Sequence, residues 1–146
     1  MKHSSKLRLV IIGVLILGIA FRFLNLDRKI FWHDEVYTSM RAAGYTRGDV
    51  DQLFQNQMVA APVLQQFQQI KPGSTIADTI RSLKTEDPQH PPLYFVMARL
   101  WMAVFGSAIA VTRVFPVLIS LLSLPLMYKL AIELFASRWV AGWAMA

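Results

Sequence analysis

The chain has no cysteine, which excludes a disulfide framework and a Cys-ligated zinc. Charge is scarce as well: Asp, Glu, Lys and Arg make up 16% of the 146 residues, against 55% apolar. There is no His-x-x-x-His spacing, no Gly-rich loop to cradle a nucleotide phosphate and no repeat of fixed period. A basic stripe with interleaved aromatics is also missing, so nucleic acid is not an expected partner. Acids are absent from residues 1–26, where Lys2, Lys6, Arg8 and Arg22 give a net +4. Residues 27–92 hold seven bases and eight acids, and residues 93–146 hold four bases against Glu133 alone. The overall +6 therefore flanks apolar stretches, as membrane-orientation signals do.

Three apolar stretches are long enough to matter. Leu7–Leu26 is interrupted only by Arg8, Arg22 and Asn25, and about 20 mainly apolar residues suffice to cross the hydrocarbon. Gly18-Ile19-Ala20 also fits the small-residue cleavage site of a signal peptide. An uncleaved first span is preferred because further spans follow, with the N-terminus in the cytoplasm. Residues 93–110 and 113–135 are read as the second and third spans, the latter tolerating Pro116 and Pro125 inside a helix bundle. Trp139–Ala146 reads as the start of a fourth, so the chain is expected to be a fragment of one larger transmembrane domain. The expected fold is all-α, a polytopic membrane helix bundle divided at 1–26, 27–92 and 93–146.

The polar segment 27–92 is expected outside the cytoplasm, carrying short amphipathic helices in the interface plane. A helix is predicted over Asp34–Ala43, with Val36, Met40 and Ala43 on one face and Gly44 ending it. Asp49 can cap the next helix, which carries Val50, Leu53 and Phe54. Val63, Leu64 and Phe67 follow a break at Pro62. Lys71-Pro72-Gly73 is a turn, and Thr75-Ile76-Ala77-Asp78 resembles a capping box opening a helix towards Lys84.

Two dense corners bracket this segment: Phe31-Trp32-His33-Asp34-Glu35 and His90-Pro91-Pro92-Leu93-Tyr94. Adjacent carboxylates on a helix point about 100° apart, so Asp34 and Glu35 cannot share one proton. A carboxylate here could take the proton of a hydroxyl or amine attacking an anomeric carbon. It could equally be an interfacial charge complementing a helix N-terminus. His33 and His90 with the carboxylates could meet a divalent ion, though without metal-ligand spacing. His90, at the N-terminus of an apolar helix and stiffened by two prolines, suits a phosphate.

Taken together, the two corners, Phe105-Gly106 and Thr112-Arg113 resemble the N-terminal part of GT-C-type membrane glycosyltransferases. The nearest branch holds the dolichyl-phosphate-mannose-protein mannosyltransferases and the lipid A aminoarabinose transferases. The resemblance runs from about residue 8 to the end of the chain. It implies that Asp34 is the catalytic acid of the first extracytoplasmic loop, with Glu35 beside it. It also implies that His90 contacts the donor lipid phosphate, in a manner that depends on its protonation. Trp32, His33, Tyr37 and Tyr94 are supporting candidates. Gln89 stands where some members carry an acidic residue near a metal, so the metal ligands are unassigned, and Asp87 lies close without matching the pattern. The implied donor is a polyprenyl-phosphate sugar, and the acceptor a lipid, glycan or protein. The setting is a multi-pass protein among the lipids of the plasma (inner) membrane, inactive as this piece alone. The other reading left open is a non-enzymatic transporter or scaffold piece whose acidic loop binds an ion or a partner.

Overall fold

The computed structural model describes residues 2–55 and 58–146, with side chains from residue 6 onward. Helices α1 (Lys2–Phe23), α2 (His33–Ala43) and α3 (Arg47–Leu53) precede a 3₁₀ helix (Ala61–Gln68); α4 (Ile76–Glu86), α5 (Pro92–Phe105), α6 (Ile109–Phe135) and α7 (Arg138–Met145) follow. No strand occurs among the described residues, so the all-α expectation holds. The chain divides into two compact units, one of residues 27–113 and one of 1–26 with 114–146.

Local chemistry sets the helix ends in the first of these units. α2 stops where Gly44 adopts φ 89°, a left-handed turn that costs glycine little. Its NH donates to Arg41 O, and the Tyr45 NH donates to Met40 O. α3 is capped by Thr46 rather than by Asp49. The Asp49 carboxylate, three residues on, accepts from the Thr46 NH at 2.8 Å, so the expected cap is the returning half of a capping box. Thr75 and Asp78 form the same box at the head of α4, with Thr75 NH donating to Asp78 Oδ2 at 2.7 Å. Pro62 lies at the start of the 3₁₀ helix instead of breaking one. Phe67 from that helix is buried with its ring edge-on to Tyr45, centroids 5.0 Å apart.

The core of this unit is a polar knot as much as an apolar one. Helix termini leave carbonyls without intrahelical partners, and at the C-terminus of α2 these are buried rather than solvated. Thr79 Oγ1 donates to Ala42 O at 2.9 Å and Ser82 Oγ to Tyr45 O at 2.5 Å. The Arg99 guanidinium of α5 reaches into the same place. It donates to Ala43 O at 3.0 Å, Ser74 O at 2.8 Å and Ser74 Oγ at 2.8 Å, with longer bonds to Ala42 O and Thr79 Oγ1. Arg99, Thr79 and Ser82 are all buried. A cation at a helix C-terminus is also favoured by the helix dipole.

Arg99 thus joins α5 to α2 and α4. The stretch expected to cross at 93–110 is divided by Gly106, at φ 92°. α5 has 14 residues, about 21 Å at the α-helical rise, against a hydrocarbon core of about 30 Å. α6, with 27 residues, is long and apolar enough to cross a membrane, and Pro116 and Pro125 lie inside it.

In the other unit α7 packs on α1. The Ile11 methyl lies 3.3 Å from where a Cβ on Gly142 would stand, and Ala141 and Ile11 are buried. The Arg8 guanidinium sits 5.6 Å from the Trp139 ring centroid, within cation–π range. Ala136, at φ 46°, lies between α6 and α7.

Candidate active site

α2 starts at His33 because its first turn is acidic and capped from within. The Glu35 carboxylate accepts from the Trp32 NH at 2.9 Å. Both Asp34 and Glu35 lie in this first turn, where negative charge meets the positive end of the helix dipole. The two carboxylates then diverge. Glu35 turns to Arg113, whose Nε and Nη2 donate to its two oxygens at 2.7 and 2.8 Å. The same guanidinium donates to the carbonyls of Lys29 at 3.1 Å and Ile30 at 2.9 Å. Its central carbon lies 5.6 Å from the Phe31 ring centroid. The forked pair with Arg113 holds the Glu35 carboxyl below its ordinary range, helped by the Trp32 NH and opposed by burial. Glu35 is therefore a structural clamp on the first corner, and a carboxylate so committed is poorly placed to take a proton.

Asp34 is open. Its side chain is 85% exposed, with His33 Nδ1 3.5 Å from a carboxylate oxygen. It lines a cleft of about 330 Å³ with His33, Tyr37, Thr38, Arg41, Asp87, His90 and Phe95. On α2 the spacing 34, 37, 38, 41 is one helical stripe, opposite in kind to the apolar positions Val36, Met40 and Ala43.

His90 reaches this cleft because Arg41 fixes the end of α4. Arg41, 5% exposed at its side chain, pairs with Glu86 at 2.5 Å and Asp87 at 2.6 Å. It donates further to Tyr45 O at 3.4 Å. Asp87 O in turn accepts from the His90 NH at 3.0 Å, and the prolines at 91 and 92 then start α5. The His90 ring stands edge-on to Phe95 with centroids 6.0 Å apart. His33 packs edge-on to Tyr37 at 4.7 Å.

The structure thus brings Asp34, His33, Tyr37 and His90 together. Glu35, Trp32 and Tyr94 are not on the cleft wall. Trp32 is exposed. Tyr94 packs against Phe95, with centroids 5.6 Å apart, and burial pushes its phenol up. Thr38, Arg41 and Phe95 are the wall residues that sequence reasoning passed over, and Asp87, close to the second corner without matching its pattern, lies on the wall as well. The stripe at i+3, i+4 and i+7 from Asp34 was the available signal for Arg41. Arg41 already spends donors on two acids and a carbonyl, so the donors the cleft can turn on an anion are the imidazoles of His33 and His90 and the hydroxyls of Tyr37 and Thr38.

A larger cleft of about 600 Å³ lies in the same unit, between glutamines 65, 68 and 69 and the Met102–Ile109 corner. No titratable side chain lines it, so it offers no proton transfer. Among the described residues no three His, Asp or Glu side chains group to hold a metal ion. Compared with protein-family models, curated proteins and solved structures, the chain matches none.

Proposed function

We propose that this chain belongs to a membrane glycosyltransferase that takes a sugar from a polyprenyl-phosphate donor on the extracytoplasmic side. The observation that carries the reading is that Asp34 and His90, 56 positions apart, line one cleft. In the proposed step an acceptor hydroxyl or amine attacks the anomeric carbon and its proton passes to Asp34. The bond from that carbon to the phosphate oxygen breaks, and polyprenyl phosphate leaves with the electron pair. His90 donates to the phosphate, and His33 lines the same cleft.

The proposed topology has α1 and α6 crossing, as part of a multi-pass protein of the plasma (inner) membrane, with the segment between them outside. Lys129 and Arg138 then fall on the same side as Lys2, Lys6 and Arg8, in keeping with the positive-inside tendency. Three crossings by residue 135 would place them outside. A non-enzymatic, ion-binding loop draws on Asp34 and Asp87 sharing the cleft. Asp87, however, is already engaged by Arg41 at 2.6 Å, which leaves Asp34 as the open carboxylate.

The test is sugar transfer by the complete open reading frame carrying Asp34→Asn. Transfer falls by about 10²-fold or more, the scale of a positioned general base, while donor binding is unchanged. His90→Ala instead weakens donor binding and recovers at high donor concentration. Normal expression with normal transfer by the Asp34→Asn protein ends the assignment.

A further inference from the structure

α5 carries two apolar faces with different partners. From 93 to 112 the one charged residue is Arg99, and it points into the unit formed by residues 27–113. At about 100° per residue, buried Phe95, Ala98, Arg99 and Met102 share one side of the helix. Leu93, Met97, Leu100 and Val104 fall within about 60° of one another on the opposite side. These four are 68%, 42%, 50% and 73% exposed. The stripe has no polar member along about 16 Å of helix.

What covers the stripe is indicated by the corner that follows it. Gly106 ends α5 and α6 begins at Ile109, so three residues separate the stripe's helix from the helix that can cross a membrane. The corner is fixed. Trp101 Nε1 donates to Val111 O, in the first turn of α6, at 2.8 Å, and the Trp101 ring packs on Phe105 with centroids 4.1 Å apart. A helix too short to cross, bound on one face to a polar unit and anchored to the head of a crossing helix, has a lipid surface beside its other face.

We infer that α5 lies in the plane of the membrane, with Leu93, Met97, Leu100 and Val104 immersed at the boundary between headgroups and acyl chains. This rests on α6 crossing the bilayer, and it adds a membrane-bound base to the unit that holds the cleft. The apolar sequence of α5 then has two causes, one face being core and the other lipid.

Because the chain has no cysteine, single cysteines at 93, 97, 100 and 104 can carry a nitroxide in the otherwise unchanged chain, reconstituted in phosphatidylcholine vesicles. Collision with oxygen and with a water-soluble nickel chelate gives the depth of each. Asp51→Cys serves as the reference outside the stripe and Leu122→Cys, on α6, as the deep one. An in-plane helix gives four equal, shallow depths with oxygen favoured over nickel. A helix crossing the bilayer gives a monotonic change of about 16 Å over the eleven residues and overturns the inference. So does nickel access at all four sites, or shelter from both reagents, which marks a protein cover. A deep Leu122 label with any of these results rejects the α5 inference alone, whereas a water-exposed Leu122 rejects the crossing helix and with it the inference. All four side chains are exposed in the fold, and unchanged amide exchange at Lys71 verifies that each variant keeps its core.

Discussion

Replacing Arg99 by methionine removes five hydrogen bonds at the C-terminus of α2 while keeping an unbranched side chain of similar reach. The loss is smaller than five bonds suggest, because several acceptors keep a second donor. Ala42 O retains Thr79 Oγ1 at 2.9 Å. Ala43 O retains the Lys71 NH at 3.1 Å. Ser74 O loses its charged donor, and Ser74 Oγ keeps its own bond to Lys71 O at 2.6 Å. Bonds from a charged donor contribute about 1.5–3 kcal/mol each in net terms. Two strong ones are lost without replacement, against which the relief from burying a guanidinium must be set. The net expectation is a loss of about 3 kcal/mol. Since about 1.4 kcal/mol is tenfold in an equilibrium constant, amide exchange at Lys71 and Tyr45 should quicken by about 10²-fold. Hydrogen-exchange mass spectrometry on the full chain in detergent reads this, with amides in α6 as the unaffected reference. Arg99→Lys, with donors on a single nitrogen, falls between. Unchanged exchange at Lys71 and Tyr45 in the methionine variant refutes the claim that Arg99 closes this helix end.

Gly44→Ala places a Cβ 3.0 Å from an Arg99 nitrogen at φ 89°. We expect about 1–2 kcal/mol of destabilisation from the backbone alone, read as a lower unfolding midpoint for the unit of residues 27–113. Arg113→Gln releases Glu35, and its signature lies in pH. With Arg113 present the folded Glu35 carboxyl sits below its ordinary 4.5. Its contribution is therefore complete above that value and is lost as pH falls through the folded one. Stability profiles of the two proteins should converge in acid and separate towards neutrality. A constant gap across that window would assign the effect of Arg113 to the Lys29 and Ile30 carbonyls alone.

Much of the helical outline was legible because its punctuation is local. Gly44, the Thr75 box and the prolines at 91 and 92 each act within a few residues, and the boundaries fall there. Asp49 was misread as a cap because a carboxylate at the third helical position and one at the cap satisfy the same N–H groups in sequence. Hydropathy alone makes residues 93–110 one candidate span; that the helix there has 14 residues and is tied through Arg99 to partners 20 to 57 residues away is not local information. At the site, the meeting of Asp34 and His90 was anticipated from the two corners. The divergence of Asp34 from Glu35 depends on Arg113, 78 residues from Glu35, and no local pattern announces such a partner.

That separation also orders events in time. The corner carrying Asp34 is closed by a side chain that the ribosome adds 78 residues after Glu35. At about 5–20 residues per second, the delay is about 4–16 s. Throughout that interval the Lys29 and Ile30 carbonyls and the Glu35 carboxylate await their guanidinium. A nascent chain halted before Arg113 would display Asp34 on an unfastened corner, which closes only when the head of α6 arrives.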